Sequence, residues 1–310
     1  MRFAFIFPGQ GSQSVGMMQA FAGSNAVRAV FTEAAEALKQ DLWKLVAEGP
    51  AEELSATVNT QPVMLTAGYA VYRAWREAGG AEPAIVAGHS LGEYTALVAA
   101  GVVAFRDALP LVRFRAQAMQ EAVPMGEGAM AAILGLDDDA VRSACKDAAQ
   151  GQVVEPVNFN APSQVVIAGH KAAVERGAAA AKAKGARRAM MLPVSAPFHS
   201  SLLKPAADRL AGYLAKVGFS APRIPIVNNA DVAVEKDPLR IKDALARQAC
   251  NPVRWVEVVR KIAEGGISHV AECGPGKVLA GMTRRIDGRL QGYAIADSKS
   301  LEQALQALKS

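Results

Sequence analysis

Cysteine is scarce in this chain: three residues in 310, at Cys145, Cys250 and Cys273, each standing alone. With no CxxC pair, neither a disulfide framework nor a thiolate zinc site is expected. Histidine is nearly as rare. His89, His170, His199 and His269 form no HExxH and no tight ligand cluster, so no metal is expected. Long apolar runs are missing too, since no stretch reaches the roughly 18 residues that crossing a bilayer requires. The opening MRFAFIFPGQ meets Pro8 and Gly9 too soon for a signal peptide, and the expectation is a soluble, cytoplasmic protein. Nucleotide-binding glycine patterns are also lacking: no GKS or GKT follows the early glycines, and no GxGxxG occurs.

Charge is unevenly divided. Residues 1–180 hold 13 Lys or Arg against 18 Asp or Glu, a net of −5, and residues 181–310 hold 21 against 11, a net of +10. A basic half can steer an acidic partner. No nucleic-acid motif and no basic stripe interleaved with aromatics accompanies it, so nucleic acid is not expected.

What is present is apolar residue in quantity, 51% of the chain, enough for a substantial core without staples. The length suits one large domain or a large domain carrying a smaller insertion. Phe3–Phe7 is apolar on both faces, as in a central parallel strand, and ends in the glycine-rich loop Pro8–Gln13. Helices are expected over Ala26–Leu38, Leu42–Ala47, Val63–Glu77 and Phe105–Gln120, with a second strand at Ala84–Ala87. The composition changes at Val123–Gly128. From there the pattern reads strand 129–136, helix 137–149, strands 153–158 and 165–168, helix 171–184 and strand 189–194. That βαββαβ order defines an inserted ferredoxin-like unit at 126–196. Residues 1–125 and 197–310 then form the large α/β domain, with a mostly parallel sheet of the α/β-hydrolase kind. Ser195 to Ser200 return the chain to it. Beyond lie helices at 202–214, 238–248, 256–264, 278–285 and 301–308, and strands at 224–227 and 269–272.

The chemistry centres on Ala84–Ala100, AIVAGHSLGEYTALVAA. A short apolar strand ends at Gly88, Ser90 stands alone at the turn, and Gly92 opens a helix with Glu93 in its first turn. Glycines two residues to either side of a serine let strand and helix crowd together while the hydroxyl stays exposed, which is the nucleophile elbow. The same pattern also fits an ordinary strand–helix turn whose serine only caps the helix. A nucleophilic serine needs a base. His89 leaves the turn in another direction and is expected to shape the pocket. His199, 109 residues downstream and following Pro197, suits the nucleophile-first order of serine hydrolase-like sheets. The oxyanion donors are expected to be the N–H groups of Leu91 and Gln10. No acid presents itself to orient His199. A carbonyl where the helix breaks, in Gln248–Asn251, can fix the tautomer instead, giving a dyad.

Taken together, Phe7–Gln13, Gly88–Tyr94, Arg115, Asn158-Phe159-Asn160, Ala196–Ser200 and Asn251-Pro252-Val253-Arg254-Trp255 resemble the malonyl-CoA:acyl carrier protein transacylase family nearly end to end. The resemblance implies that Ser90 carries malonyl as an ester and that His199 acts as base and then acid. It implies that the Gln10 and Leu91 amides hold the oxyanion and that the carbonyl of Gln248 orients His199. Arg115 would pair with the free malonyl carboxylate, while His89, Asn160 and Phe198 line the pocket. It further implies no bound cofactor. The substrates would be malonyl-CoA and the phosphopantetheine of an acidic acyl carrier protein, which would dock on the basic surface. Lys277, Arg284 and Arg285 are candidate contacts, and a monomer is implied. Two rival readings use the same residues: a serine hydrolase such as a thioesterase, and a binding protein that keeps the fold alone.

Overall fold

The computed structural model describes residues 1–194 and 196–309. In chain order, the first part runs β1 (Phe3–Phe7), α1 (Asn25–Leu38), α2 (Leu42–Glu48), α3 (Ala51–Ser55), α4 (Thr57–Glu77), β2 (Ile85–Gly88), α5 (Gly92–Ala99) and α6 (Phe105–Glu121). The middle part is β3 (Gly128–Leu134), α7 (Asp138–Ala149), β4 (Val154–Ala161), β5 (Gln164–His170), α8 (Lys171–Ala183) and β6 (Arg188–Met191). The rest is α9 (Lys204–Leu214), β7 (Ile226–Val227), α10 (Pro238–Gln248), α11 (Trp255–Glu264), β8 (His269–Cys273), α12 (Val278–Ile286), β9 (Gln291–Ile295) and α13 (Ser298–Ala307).

Two sheets result, in the mixed α/β architecture expected. The first is wholly parallel, in the order β7-β2-β1-β8-β9. Its central strand β1 alternates between two cores. Phe3, Phe5 and Phe7 face the large cluster of α1, α4, α5 and α6, whereas Ala4 and Ile6 face a second cluster built on α11 and α12. Burial on both faces is why the strand shows no polar alternation. Edge-to-face contacts of Trp75 with Phe3 and Phe5, at 5.8 and 5.2 Å, lock α4 onto β1 and contribute about 0.5–1.5 kcal/mol each beyond area burial.

The second sheet is antiparallel, ordered β4-β5-β3-β6, with α7 and α8 on one face around a core of its own. A short main-chain splice ties it to the segment between α10 and α11. Val253 donates to the Val157 carbonyl at 2.8 Å, and Phe159 donates to the Val253 carbonyl at 3.0 Å. The Asn251–Trp255 segment thereby pairs with β4 beside a shift in the β4–β5 register.

Three local expectations change. Helix α4 begins at Thr57 rather than Val63 and carries Pro62 inside it, because burial of its first turns outweighs the proline's missing donor. The β4–β5 connection shrinks to Pro162-Ser163, with Ser163 at φ 59°, so Asn160 lies on a strand and not in a loop. Strand β9, QGYAI, was not anticipated. It is an edge strand with exposed Gln291 and Gly292, and it lacks the apolar density of its neighbours.

Candidate active site

The elbow forms where β2 meets α5. A side chain at Gly88 would strike the Gly92 carbonyl at 2.0 Å, and one at Gly92 would strike the Phe7 carbonyl at 2.1 Å, so both positions must be glycine. Ser90 itself sits at φ 51°, the left-handed region that a non-glycine residue rarely adopts. That strain is held by Asn229, at the end of β7. Its Oδ1 accepts the Ser90 N–H at 2.8 Å, and its Nδ2 donates to the Gly88 carbonyl at 2.8 Å. Within the turn, the His89 carbonyl takes the Gly92 N–H and the Ser90 carbonyl takes the Glu93 N–H. The Leu91 N–H at the helix start has no acceptor among the described residues. The loop after β1 packs against this turn, with Gly9 so close to the His89 carbonyl that a side chain would lie 2.5 Å from it. Gln10 follows directly and shares a cavity with Ser90 and Leu91.

His199 arrives from the loop before α9, also at positive φ, 65°. Its Nε2 lies 2.7 Å from Ser90 Oγ, and its Nδ1 lies 2.8 Å from the Gln248 carbonyl. A carbonyl can only accept, so Nδ1 carries the proton and Nε2 is free to receive one from the serine. Burial, the positive Arg115 nearby and the lesser influence of His89 push His199 down to about 3, with the carbonyl opposing. The imidazole is therefore neutral at neutral pH, with Nε2 unprotonated and open to accept. Gln248 ends α10, where main-chain carbonyls lack helical partners and the helix dipole is negative. A helix end thus does for this histidine what a carboxylate does in a triad.

Arg115, on α6, is 1% exposed and has no carboxylate within ion-pair distance among the described residues. Neutral acceptors hold it instead. Nη1 donates to Gln61 Oε1 at 2.8 Å, and Nη2 donates to Gln248 Oε1 at 2.9 Å and to Ser90 Oγ at 3.1 Å. The Tyr94 ring lies 5.3 Å from the guanidinium carbon, and Nε has no acceptor among the described residues. Glu93 stands one step away, 2% exposed, taking the Asn229 N–H at 2.9 Å and the Gln248 Nε2–H at 2.8 Å on the same oxygen. Burial raises its carboxyl to about 7 against the pull of those bonds and of Arg115.

These groups open onto a cavity of about 470 Å³ lined from both sheets. Gln10, Gln61, His89, Ser90, Leu91, Arg115 and Met119 come from one side, and Met130, Asn158 and Leu192–Val194 from the other, with Phe198 and His199 closing it. Of the expected residues, Asn160 alone is displaced from the lining. It stands behind His89, whose Nε2 donates to Asn160 Oδ1 at 2.7 Å, and Asn158 takes its place at the wall. His89 also packs on Trp255 at 5.5 Å, and burial lowers its basicity. Sequence reasoning missed Gln61, Glu93 and Asn229 as parts of this network. Asn229 carried a readable signal, a polar doublet at a strand's carboxyl end. Gln61 carried none. No group of three or more His, Cys, Asp or Glu that can hold a metal occurs among the described residues, and no helix there is long and apolar enough to cross a membrane.

A strained serine between a parallel strand and a helix, with a ferredoxin-like sheet folded over it, places the chain among proteins built for acyl chemistry. The match to the acyl transferase domain model covers residues 4–287, and the chain belongs to that family. It is 57% identical over 305 residues to the malonyl CoA-acyl carrier protein transacylase of Salmonella typhimurium, covering 98% of this chain and 99% of that one. The protein of the same name from Bacillus subtilis is 44% identical over 310 residues, covering 99% and 98%. Among solved structures, the acyl-carrier-protein S-malonyltransferase of Burkholderia pseudomallei superposes with a TM-score of 0.97 at 68% identity, over 99% of this chain and 100% of that one. A malonyl-transacylase solved in complex with its type II polyketide acyl carrier protein superposes at 0.98 and 52%, over 99% and 100%.

Proposed function

We propose that the chain transfers malonyl from malonyl-CoA to the phosphopantetheine thiol of acyl carrier protein, through a malonyl ester on Ser90. The observation that carries this reading is Arg115. A buried guanidinium without a counter-charge is costly, and here it faces a cavity within 3.1 Å of the nucleophile. An acyl group that brings its own carboxylate completes the pair, and a planar fork suits that carboxylate bidentately. Acetyl brings none.

The chemistry follows from the geometry. Ser90 Oγ gives its proton to His199 Nε2 and attacks the thioester carbonyl. The Leu91 and Gln10 N–H groups receive the oxyanion, and coenzyme A leaves as its sulfur takes the proton back from His199. In the second half, His199 takes the proton of the carrier thiol. The sulfur attacks the Ser90 ester, and the serine recovers its proton. With His199 neutral at rest, its Nε2 is unprotonated at the start of each half.

The same reading divides the chain into 1–125 with 197–310 and an insertion at 126–196, acting as a cytoplasmic monomer. An acidic carrier protein is assigned to the basic C-terminal half. Lys277, Arg284 and Arg285 are exposed on the loop and helix that follow β8. The decisive measurement is intact mass after exposure to malonyl-CoA, with the adduct mapped by peptide sequencing. One malonyl on Ser90 that is discharged by carrier-protein thiol is the expected result. Free malonate as the main product would make the protein a hydrolase, and unmodified protein would leave only the fold.

A further inference from the structure

Arg115 is held by carboxamides, and one of them is itself steered. Gln248 touches the histidine, the arginine and the serine's main chain. Its main-chain carbonyl holds His199, its Oε1 accepts from Arg115, and its Nε2 donates to the Ser90 carbonyl at 3.0 Å and to Glu93. A carboxamide has two ends of nearly equal shape, so only its partners decide which faces the guanidinium. Turned over, it would set Nε2 against the Arg115 donors and Oε1 against both the Ser90 carbonyl and the Glu93 carboxyl.

We infer that Glu93 is a positioning residue for acyl-group selectivity: it fixes the Gln248 amide so that a neutral oxygen, and not a charge, steadies Arg115. The inference rests on the function proposed above and deepens it. A carboxylate placed directly on Arg115 would neutralise the guanidinium and compete with the substrate's own carboxylate. Interposing an amide keeps the acid one bond removed. Arg115 is then aligned and still carries an unspent charge toward the cavity. The same Glu93 oxygen takes the Asn229 N–H, which ties the serine's support to the same anchor.

The test compares malonyl-CoA with acetyl-CoA as acyl donors, reading kcat/KM for acylation of Ser90 in the full chain. Glu93→Gln keeps an acceptor oxygen for both bonds, and its malonyl-to-acetyl ratio should stay within about threefold of the parent. Glu93→Leu removes the steering together with the acceptor for the Asn229 N–H, so acetyl should slow as well, and the malonyl-to-acetyl ratio should still fall about tenfold or more. Gln248→Met keeps the main-chain carbonyl for His199 and should lose the same selectivity. The double variant should then lose no more than either alone, as required of two residues acting on one contact. Parallel losses for both acyl donors, or fully additive losses, would overturn the inference and make Glu93 a structural support for the elbow. If Glu93→Leu does not fold, the ratio in Gln248→Met decides alone. Absence of any malonyl adduct on the parent protein would refute the proposed function instead, a separate outcome.

Discussion

At the scale of single residues, the role proposed for Arg115 is to separate a transferase for malonyl from a general acyltransferase. Removing one partner of a buried, hydrogen-bonded charge pair costs about 2–5 kcal/mol. Arg115→Ala should therefore lower kcat/KM for malonyl-CoA by between about thirty-fold and several thousand-fold, with acetyl-CoA affected far less. Arg115→Lys should fall between, since it keeps a charge and gives up the fork. Steady-state kinetics with the two donors checks both, and equal losses would reduce Arg115 to a packing role. The residues differ in how far they could be read in advance. Ser90 was legible because its glycines, strand and helix lie within one short stretch. Arg115 looked like any helical arginine, and only the family resemblance singled it out. Its burial is made by Gln61 and Gln248, 54 and 133 positions away in the chain.

Among the elements, the elbow is where tolerance is smallest. Gly92→Ala would drive a methyl to 2.1 Å from the Phe7 carbonyl oxygen and 2.8 Å from its carbon, atoms held in the central strand. Helix α5 would have to move off β1 and take Ser90 with it. The expected result is a loss of several kcal/mol together with loss of serine acylation. Gly281, exposed in α12 with nothing within 4 Å of its added carbon, is the internal contrast. Gly281→Ala should stabilise by about 0.5–1 kcal/mol with full activity. Thermal melts and intact-mass labelling of the two variants test this together, and a well-folded, active Gly92→Ala would refute the close-approach argument. Most elements were readable from periodicity and turn residues, because burial on both faces writes itself into β1 and β2. Strand β9 was not readable, since an edge strand needs only one apolar neighbour. Nor was the start of α4, where tertiary packing carries the helix through Pro62.

Over the whole molecule, the carboxyl ends of β1 and β2 open onto one cavity, and β8 ends beside β1 with Glu272 buried near its own carboxyl end. A side chain on Gly274 would meet Pro8 at 3.0 Å and one on Gly276 would meet Ser12 at 3.3 Å, so the loop after β8 packs on the loop after β1. Glu272 anchors that loop from below. It is wholly buried, its Oε2 takes the Ala280 N–H at the start of α12 at 2.8 Å, and its Oε1 has no partner among the described residues. Burial raises its carboxyl to about 7 against the pull of the Ala280, Leu279 and Val278 N–H groups. The folded state therefore binds a proton that the unfolded chain releases near 4.5, and the stability this gives is present below 4.5 and lost as pH rises toward 7. His199 works in the opposite sense. With its folded value near 3, it gives stability that is present above the usual 6.5 and lost as pH falls toward 3. A bare pH–stability curve thus mixes opposing slopes, and the informative quantity is the difference between a variant and its parent. Glu272→Gln keeps an acceptor for Ala280 and cannot ionise. Its unfolding free energy relative to the parent, from denaturant titrations, should climb between about pH 4.5 and 7 by an amount on the order of 3 kcal/mol and then level off. A difference that stays constant across that range would mean Glu272 is already ionised in the fold at the lower end, with its unpartnered oxygen paired after all.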